Sequence, residues 1–538
     1  MADLPRQRVG AKPRDRAWLM SFDATKFLAE KYKAAVRGGP EDLSDAQQYA
    51  VDWMYDNPYS ALFAPPGFGK TIVILTLLDK VLSEGFVGKV LIDAPIKVVN
   101  TVWPREIPRW RHTMWMSQEI IRVEDDDERL KAEHRRMMAE LHSKLLHMED
   151  REEAAKVKLS LVKQHLTVLK EEIRRKLLKS KATIHILNHE ATDWLVNDYH
   201  ERKRPWPYRI VIWDESSKLR DHNSNVFKAI VSMRPYMDRV HELTATPAKQ
   251  SYIYFFSQIY MLDRGERFGK FITKYRERYF TQNRWSHKWE LRPGGDEEIE
   301  RKISDIVLPI KKNDFAGLQD PIIRIRDVVL SKSIREKYDE FEQTSILEAP
   351  DEEVIEAGSA AILNGKLLQL ASGAVYDNKR GVHFFHEEKF EELELILDET
   401  QDEPVLCSYW FRPTLARLKA RFPKAGVMDP QGKMIDQWNQ RKFKLMFIHP
   451  ASAAHGIELQ FGGSQLVVFD LFHSAELFEQ LIYRLNRRGQ EGIVTAHLLT
   501  AQNTVDRVVA KRLQQMEDAQ QAMYDRLQRL HRKLRRQT

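Results

Sequence analysis

Ala64-Pro65-Pro66-Gly67-Phe68-Gly69-Lys70-Thr71 has the residue types and spacing of a phosphate cradle. Around Pro66 and Phe68, Gly67 and Gly69 let the backbone turn its N–H groups toward a triphosphate. Lys70 reaches the β and γ phosphates, and the Thr71 hydroxyl can hold Mg²⁺. The formal pattern wants glycine at the first position, where this chain has Ala64. A second group, Asp214-Glu215, closes the apolar run Ile210–Trp213. Behind such a cradle one carboxylate orients the metal's shell, and the other positions and deprotonates an attacking water. The third group is Gln480, Arg484 and Arg487, at i, i+4 and i+7 on one helical face that Gly489 would end. Arginine presented to a γ-phosphate stabilises developing charge, and its planar fork does so better than an ammonium. Each group has an ordinary counterpart: a glycine turn before Lys-Thr, a solvated acidic turn, or a basic face such as Arg488 would give. Gln47, shortly before the cradle, either reads an adenine edge with its amide or is a plain surface glutamine.

The elements that must position these groups alternate. The cradle sits between the apolar runs Tyr59–Phe63 and Ile72–Leu78, which read as strand and helix. Lys89–Ala94, Ile184–Leu187, Ile210–Trp213 and a run ending at Leu243-Thr244-Ala245-Thr246-Pro247 read as further strands. That order predicts an α/β fold, a doubly wound parallel sheet with ligands at the carboxyl ends of its strands. A second α/β pattern starts near residue 323, with strands at Ile325–Leu330, Val405–Cys407, Lys444–His449 and Leu466–Asp470. It has no cradle of its own, so its use is as the other jaw of a cleft, supplying cations.

Between and around the sheets the composition changes. Residues 1–40 read as a basic extension with one helix near Phe22–Val36. Residues 124–180 carry heavy charge, one apolar stripe of Leu141, Leu145 and Met148, and another of Val162, Leu166, Leu169, Ile173 and Leu177. Two long helices are expected, an insertion suited to DNA or a protein partner. In residues 263–320, Lys274, Arg276, Arg278, Arg284 and Lys288 interleave with Tyr275, Tyr279, Phe280, Trp285 and Trp289. The mixture suits a backbone-tracking surface with stacking platforms, or a helical subdomain with an aromatic core whose cations face solvent or nucleic acid. Residues 346–360 read as an acidic loop. Thr504–Met516 reads as a helix followed by a basic tail (Arg526, Arg529, Arg532), a solvated helix end or a DNA anchor. The expected domains are 1–40; 41–262 with the insertion 124–180; a helical protrusion or brace at 263–322; 323–505; and a basic helix at 506–538.

At 538 residues the chain exceeds one core. No apolar run approaches a membrane span, so no membrane partner is expected, and Met1–Arg16 lacks an apolar signal core. The single cysteine, Cys407, excludes an intramolecular disulfide and a cysteine zinc site, which fits an intracellular location. A net charge of +7 permits a polyanionic partner without requiring one.

Over roughly residues 43–510 these elements, in this order, resemble the Swi/Snf-type ATPases of helicase superfamily 2. Leu43–Gln47 followed by Trp53 resembles the adenine-reading segment, Ala64–Thr71 the first motif, and Ala94-Pro95 with Trp103, Glu106 and Trp110 the next block. Asp214-Glu215-Ser216-Ser217 stands where the family has Asp-Glu-Ala-His, and Thr244–Pro247 matches the third motif. Ser304–Pro309, Val328–Ser331 and Tyr338 resemble the brace joining the lobes. Ser452–Leu459 corresponds to the fifth motif, with Ala453-Ala454 for Gly-Gly and Glu458 for Asn; Gln480, Arg484, Arg487, Gly489 and Gln490 match the sixth. The resemblance implies two tandem RecA-like lobes with helical insertions, closing on ATP and Mg²⁺ to move along DNA, duplex or forked, with His455 among the DNA contacts. It leaves open a strand-separating or fork-annealing helicase and a nucleotide-gated DNA clamp or adaptor. The compact form is similar to phage and bacterial members, hence a bacterial or phage-infected cytoplasm by analogy.

Overall fold

The computed structural model describes residues 38–536 apart from 123–129, 133–134, 139–150, 220, 248–250, 285–286, 312–313, 315–318, 352, 402, 430–433, 454–456 and 488. The helix expected near Phe22–Val36, the stripe of Leu141, Leu145 and Met148, Trp285, His455 and Arg488 lie outside the described residues.

The first apolar runs become β1 (Tyr59–Phe63), β2 (Lys89–Ala94), β3 (Gln118–Ile120), β4 (Ile184–Asn188), β5 (Tyr208–Asp214) and β6 (Arg239–Thr244). Three short strands follow, β7 (Phe280–Gln282), β8 (Trp289–Leu291) and β9 (Val307–Pro309). The first sheet has the order β3-β4-β2-β5-β6-β1-β9. Val240 N–H donates to the Pro58 carbonyl and Ala64 N–H to the Thr244 carbonyl, so β1 runs parallel to β6. β5 also runs parallel to β6, with Asp214 opposite Leu243. The segment 263–322, expected to be helical, contributes strands as well. β7 and β8 form an antiparallel hairpin, and β9 pairs with β1.

The later strands are β10 (Ile322–Val328), β11 (Ile346–Glu348), β12 (Val354–Glu356), β13 (Ala374–Tyr376), β14 (Val382–Phe384), β15 (Val405–Ser408), β16 (Gly426–Val427), β17 (Leu445–Ile448), β18 (Gln465–Val468) and β19 (Thr495–Ala501). Six of them form the second sheet, β10-β19-β18-β15-β17-β16, parallel throughout. Its inner strands are buried on both faces, as continuous apolar runs such as Leu445–Ile448 require. The fold is therefore α/β, with two RecA-like parallel sheets, as expected.

By compactness the chain divides into two units. One comprises the described residues up to Ser60, 71–243 and 260–264; the other comprises 61–70, 244–259 and 265–538. The second unit thus holds the cradle up to Lys70, the second sheet and the chain's last helix.

Three expectations change on contact with the structure. The supposed acidic loop at 346–360 contains the antiparallel hairpin β11–β12, because Leu347 and Ile355 alternate with exposed neighbours and are buried. The last helix does not stop at Met516; with no Gly or Pro in its path it runs over 31 residues, Val505–Arg535. Nor is Arg526 in a solvated tail. Its Nε donates to Glu300 at 2.7 Å, its Nη2 lies 3.0 Å from Asp296, and Glu300 is wholly buried. The insertion's second helix is present as Arg151–Leu178, with Leu166, Leu169 and Leu177 packed around the buried pair Leu130 and Ile173.

His383 of β14 ties the β13–β14 hairpin to the turn of the β11–β12 hairpin. Its Nε2 lies 3.0 Å from Asp377 and its Nδ1 2.8 Å from Asp351, and its ring is buried. The hydrogen bond to Asp377, helped by Asp351 against the cost of burial, raises its pKa above the ordinary 6.5. The protonated ring is favoured by folding, so this stabilisation is complete below the unfolded value and disappears as pH rises through the raised folded value. Urea melts between about pH 5 and about pH 9 should show that loss in the wild type, and His383→Gln should flatten it. An identical pH dependence in both proteins would remove the charged pair.

Candidate nucleotide site

The cradle is built by β1 and the helix Lys70–Ser83 that follows it. Gly67 and Gly69 both take φ +86°, the left-handed region that disfavours a side chain. Ala64 and Phe68 are fully buried beneath the loop, and Phe68 N–H donates to the Pro65 carbonyl at 3.3 Å. Pro66 is half-buried and Gly67 exposed at its tip. Lys70 Nζ donates to the Ala64 carbonyl at 2.7 Å and the Pro65 carbonyl at 3.4 Å, which holds the ammonium against the loop. Thr71 follows in the first turn of the helix.

Arg487 lies over this loop within the same compact unit: a Cβ added to Gly67 would meet Arg487 Cγ at 3.4 Å. The helix carrying Gln480 and Arg484 is Ala475–Leu485, so it ends before Gly489, and Arg487 stands just beyond its cap Asn486. Arg487 still reaches back, its Nε donating to the Tyr483 carbonyl at 2.9 Å and its Nη1 to the Ile457 carbonyl at 3.4 Å. Arg484 is buried, and burial together with the neighbouring Arg487 charge pushes its pKa well down. Burial lowers Arg487 too, against a smaller opposing effect of Glu458. Guanidinium groups held at such a cost are suited to an anion, whose charge would offset it. Gln480 donates to Glu476 at 3.3 Å, and its Oε1 is buried with no partner among the described residues.

At the carboxyl end of β5, Asp214 Oδ2 accepts from Trp103 Nε1 at 3.0 Å. Glu215 sits at φ +61°, a strained conformation for a side-chain residue and one that concentrates at functional sites. Its Oε1 accepts the Ser217 hydroxyl at 2.7 Å. Behind the pair, buried Trp213 stacks on His189 with ring centroids 4.8 Å apart, and His189 Nδ1 lies 2.7 Å from Asp93. A threonine hydroxyl and one oriented carboxylate are hard oxygen donors of the kind Mg²⁺ prefers, so the residues fit that ion together with a nucleoside triphosphate.

The model of the SNF2-related domain family matches residues 46–371. The chain belongs to that family. The finding agrees with the resemblance to Swi/Snf-type ATPases of helicase superfamily 2. A relative from Acyrthosiphon pisum secondary endosymbiont phage 1, described as putative protein p41, is 27% identical over 500 residues, covering 90% of this chain and 98% of that one. Among solved structures, the Sulfolobus solfataricus SWI2/SNF2 ATPase core in complex with dsDNA is similar at 14% identity and a TM-score of 0.39, covering 88% of this chain and 91% of the other.

Other residues of this SNF2-family chain stand as follows. Gln47 Oε1 accepts the Ser44 N–H at 2.9 Å, and the Gln47 N–H donates to the Ser44 hydroxyl at 3.3 Å, a capping box on Asp45–Asp56. Its amide oxygen is thus committed to the helix start. Tyr275, Tyr279 and Phe280 are buried with Phe268, so these aromatics are a core and not stacking platforms. Around them Lys274, Arg284 and Lys288 are exposed. Arg278 pairs with Glu298 at 2.6 Å, and Arg276 lies over the Trp289 ring at 5.8 Å. The supporting roles of Asp93, His189 and Ser217 escaped sequence reasoning; a lone carboxylate inside the apolar run Lys89–Ala94 was the available signal for the first.

Gly67→Ala places a side chain in the left-handed region and against Arg487, so it should cost about 1–2 kcal/mol of stability. Chemical denaturation reads the loss, and an unchanged midpoint would mean that the loop does not hold this conformation.

Proposed function

We propose that this chain is a DNA-dependent ATPase that hydrolyses ATP, with Mg²⁺, to move along DNA, preferentially duplex. The observation that carries the reading is Arg487 over Gly67: a cation of the second α/β pattern lies against the phosphate loop. Lys70 and the loop N–H groups bind phosphate, and Thr71 and Asp214 hold the metal. When bound, the metal neutralises phosphate charge as a Lewis acid. Trp103 fixes the Asp214 carboxylate, and Ser217 fixes Glu215, which takes the proton of the attacking water. Arg484 and Arg487 stabilise charge on the transferred phosphoryl group, and Gln480, one turn before Arg484 on its helix, is a further nucleotide contact. Family membership and the exposed cations Lys274, Arg284 and Lys288 support DNA as the track, with Arg276, Arg278 and His455 as further candidate contacts. We assign lobe one to 41–262, a protrusion to 263–322, lobe two to 323–505 and a terminal helix to 506–538. No helix among the described residues is long and apolar enough to cross a membrane. The phage relative supports a bacterial or infected-host cytoplasm.

Lys70→Ala and Glu215→Gln should each lower DNA-stimulated ATP hydrolysis by about a hundredfold or more while leaving the circular dichroism melt in place. Unchanged turnover in either variant would remove the site assignment. Affinity for duplex DNA should fall with salt at a log–log slope of about −0.9 per phosphate contacted. Triplex displacement without fork unwinding is the outcome expected of a duplex translocase; the reverse outcome would make it a strand-separating enzyme.

A further inference from the structure

The last helix, Val505–Arg535, lies beyond the family match, which ends at residue 371. It is anchored near its start by Asp506, whose carboxylate lies 2.7 Å from Lys389 with both side chains buried. Further along, Arg526 holds it to Glu300 at 2.7 Å. Between these anchors Gln520 spends its amide on two elements of the proposed site. Nε2 donates to the Ala245 carbonyl at 3.2 Å and to Glu479 Oε1 at 2.9 Å. One turn on, the buried Tyr524 hydroxyl donates to the same Ala245 carbonyl at 2.9 Å. All of these residues belong to one compact unit.

The two acceptors are not equivalent. Ala245 sits in Thr244–Pro247, the loop after β6, where Thr246 N–H donates to Thr244 Oγ1 at 3.0 Å. Glu479 is buried on the helix Ala475–Leu485, next to Gln480 and five residues before Arg484. A primary amide has two N–H donors, and satisfying both acceptors from one nitrogen fixes the distance between loop and helix. The surroundings leave room for that distance to change. A cavity of about 420 Å³, lined by Tyr252, Trp289, Phe478, Leu513, Met516 and Met523, adjoins the amide. Close-packed side chains would forbid such a movement.

We propose that Gln520, seconded by Tyr524, is a positioning residue that couples the Thr244–Pro247 loop to the arginine helix and so sets how well Arg484 and Arg487 meet the transition state. This rests on the ATPase reading above. The geometry demands donors at position 520 and not merely bulk, which separates coupling from packing.

The test uses the full chain with Gln520→Leu, which keeps volume without donors, and Gln520→Lys, which keeps donors for both acceptors. Gln520→Leu should lower kcat for DNA-stimulated ATP hydrolysis by about tenfold with KM nearly unchanged, and Gln520→Lys should stay within about twofold of wild type. Wild-type kcat in the Leu variant, or equal loss in both variants, would overturn the proposal. Hydrogen exchange supplies a readout that needs no turnover. Residues 244–247 and 475–485 should lose protection together in Gln520→Leu and keep it in Gln520→Lys; unaltered protection in the Leu variant overturns the coupling by itself. Absence of ATP turnover in the wild type would strike the ATPase reading, and the exchange result would still decide the coupling.

Discussion

Two guanidinium groups, Arg484 buried and Arg487 half-buried against a phosphate loop, are costly for a fold to hold. A cation removed from water loses its hydration, and a like charge beside it adds to the penalty. Arg484 carries both costs and Arg487 the first, which is why their pKa values fall although arginine does not give up its proton in practice. A fold keeps such a pair only where something rewards it, and a polyphosphate in the adjoining cradle is the reward that the neighbouring residues fit. The left-handed glycines, the Lys70 ammonium and the Arg487 stem belong to one compact unit, so the same packing that buries the arginines also shapes the loop.

The carboxylate half of the chemistry is held by different means. Asp214 ends a buried strand and Glu215 follows it; the Trp103 indole donates to the first carboxylate and the Ser217 hydroxyl to the second. A neutral donor orients a carboxylate without neutralising it. The left-handed backbone at Glu215 belongs with this arrangement: it turns the chain sharply after the strand, a strain of the kind that concentrates at functional sites.

Much of this was legible because it is local. A glycine loop between an apolar strand and an apolar helix declares itself within some twenty residues, and fully buried parallel strands declare themselves as Val/Ile/Leu runs. What the sequence concealed depended on distant partners. β9 is three residues long and exists because β1 offers it an edge. The hairpin at 346–356 was hidden by acidic composition, although its alternation was present. Arg487 was placed on a helix that in fact stops at Leu485; its side chain returns to Tyr483 by a hydrogen bond that no periodicity encodes. Arg526 of the last helix looked solvated because the buried Glu300 that pairs with it lies 226 residues away.

The departures from the family's motifs have local physical explanations. Ala64 replaces glycine at a position whose backbone does not need the left-handed region, since among the loop's described residues only Gly67 and Gly69 take positive φ. Ser217 stands where the family has histidine, and it hydrogen-bonds Glu215 with a group that does not titrate near neutral pH. Glu458 replaces asparagine and adds a negative charge whose field favours charged Arg487. An asparagine there would leave Arg487's burial less compensated. The substitution therefore eases the cost of holding the arginine, while its own negative charge would oppose an anion placed beside it.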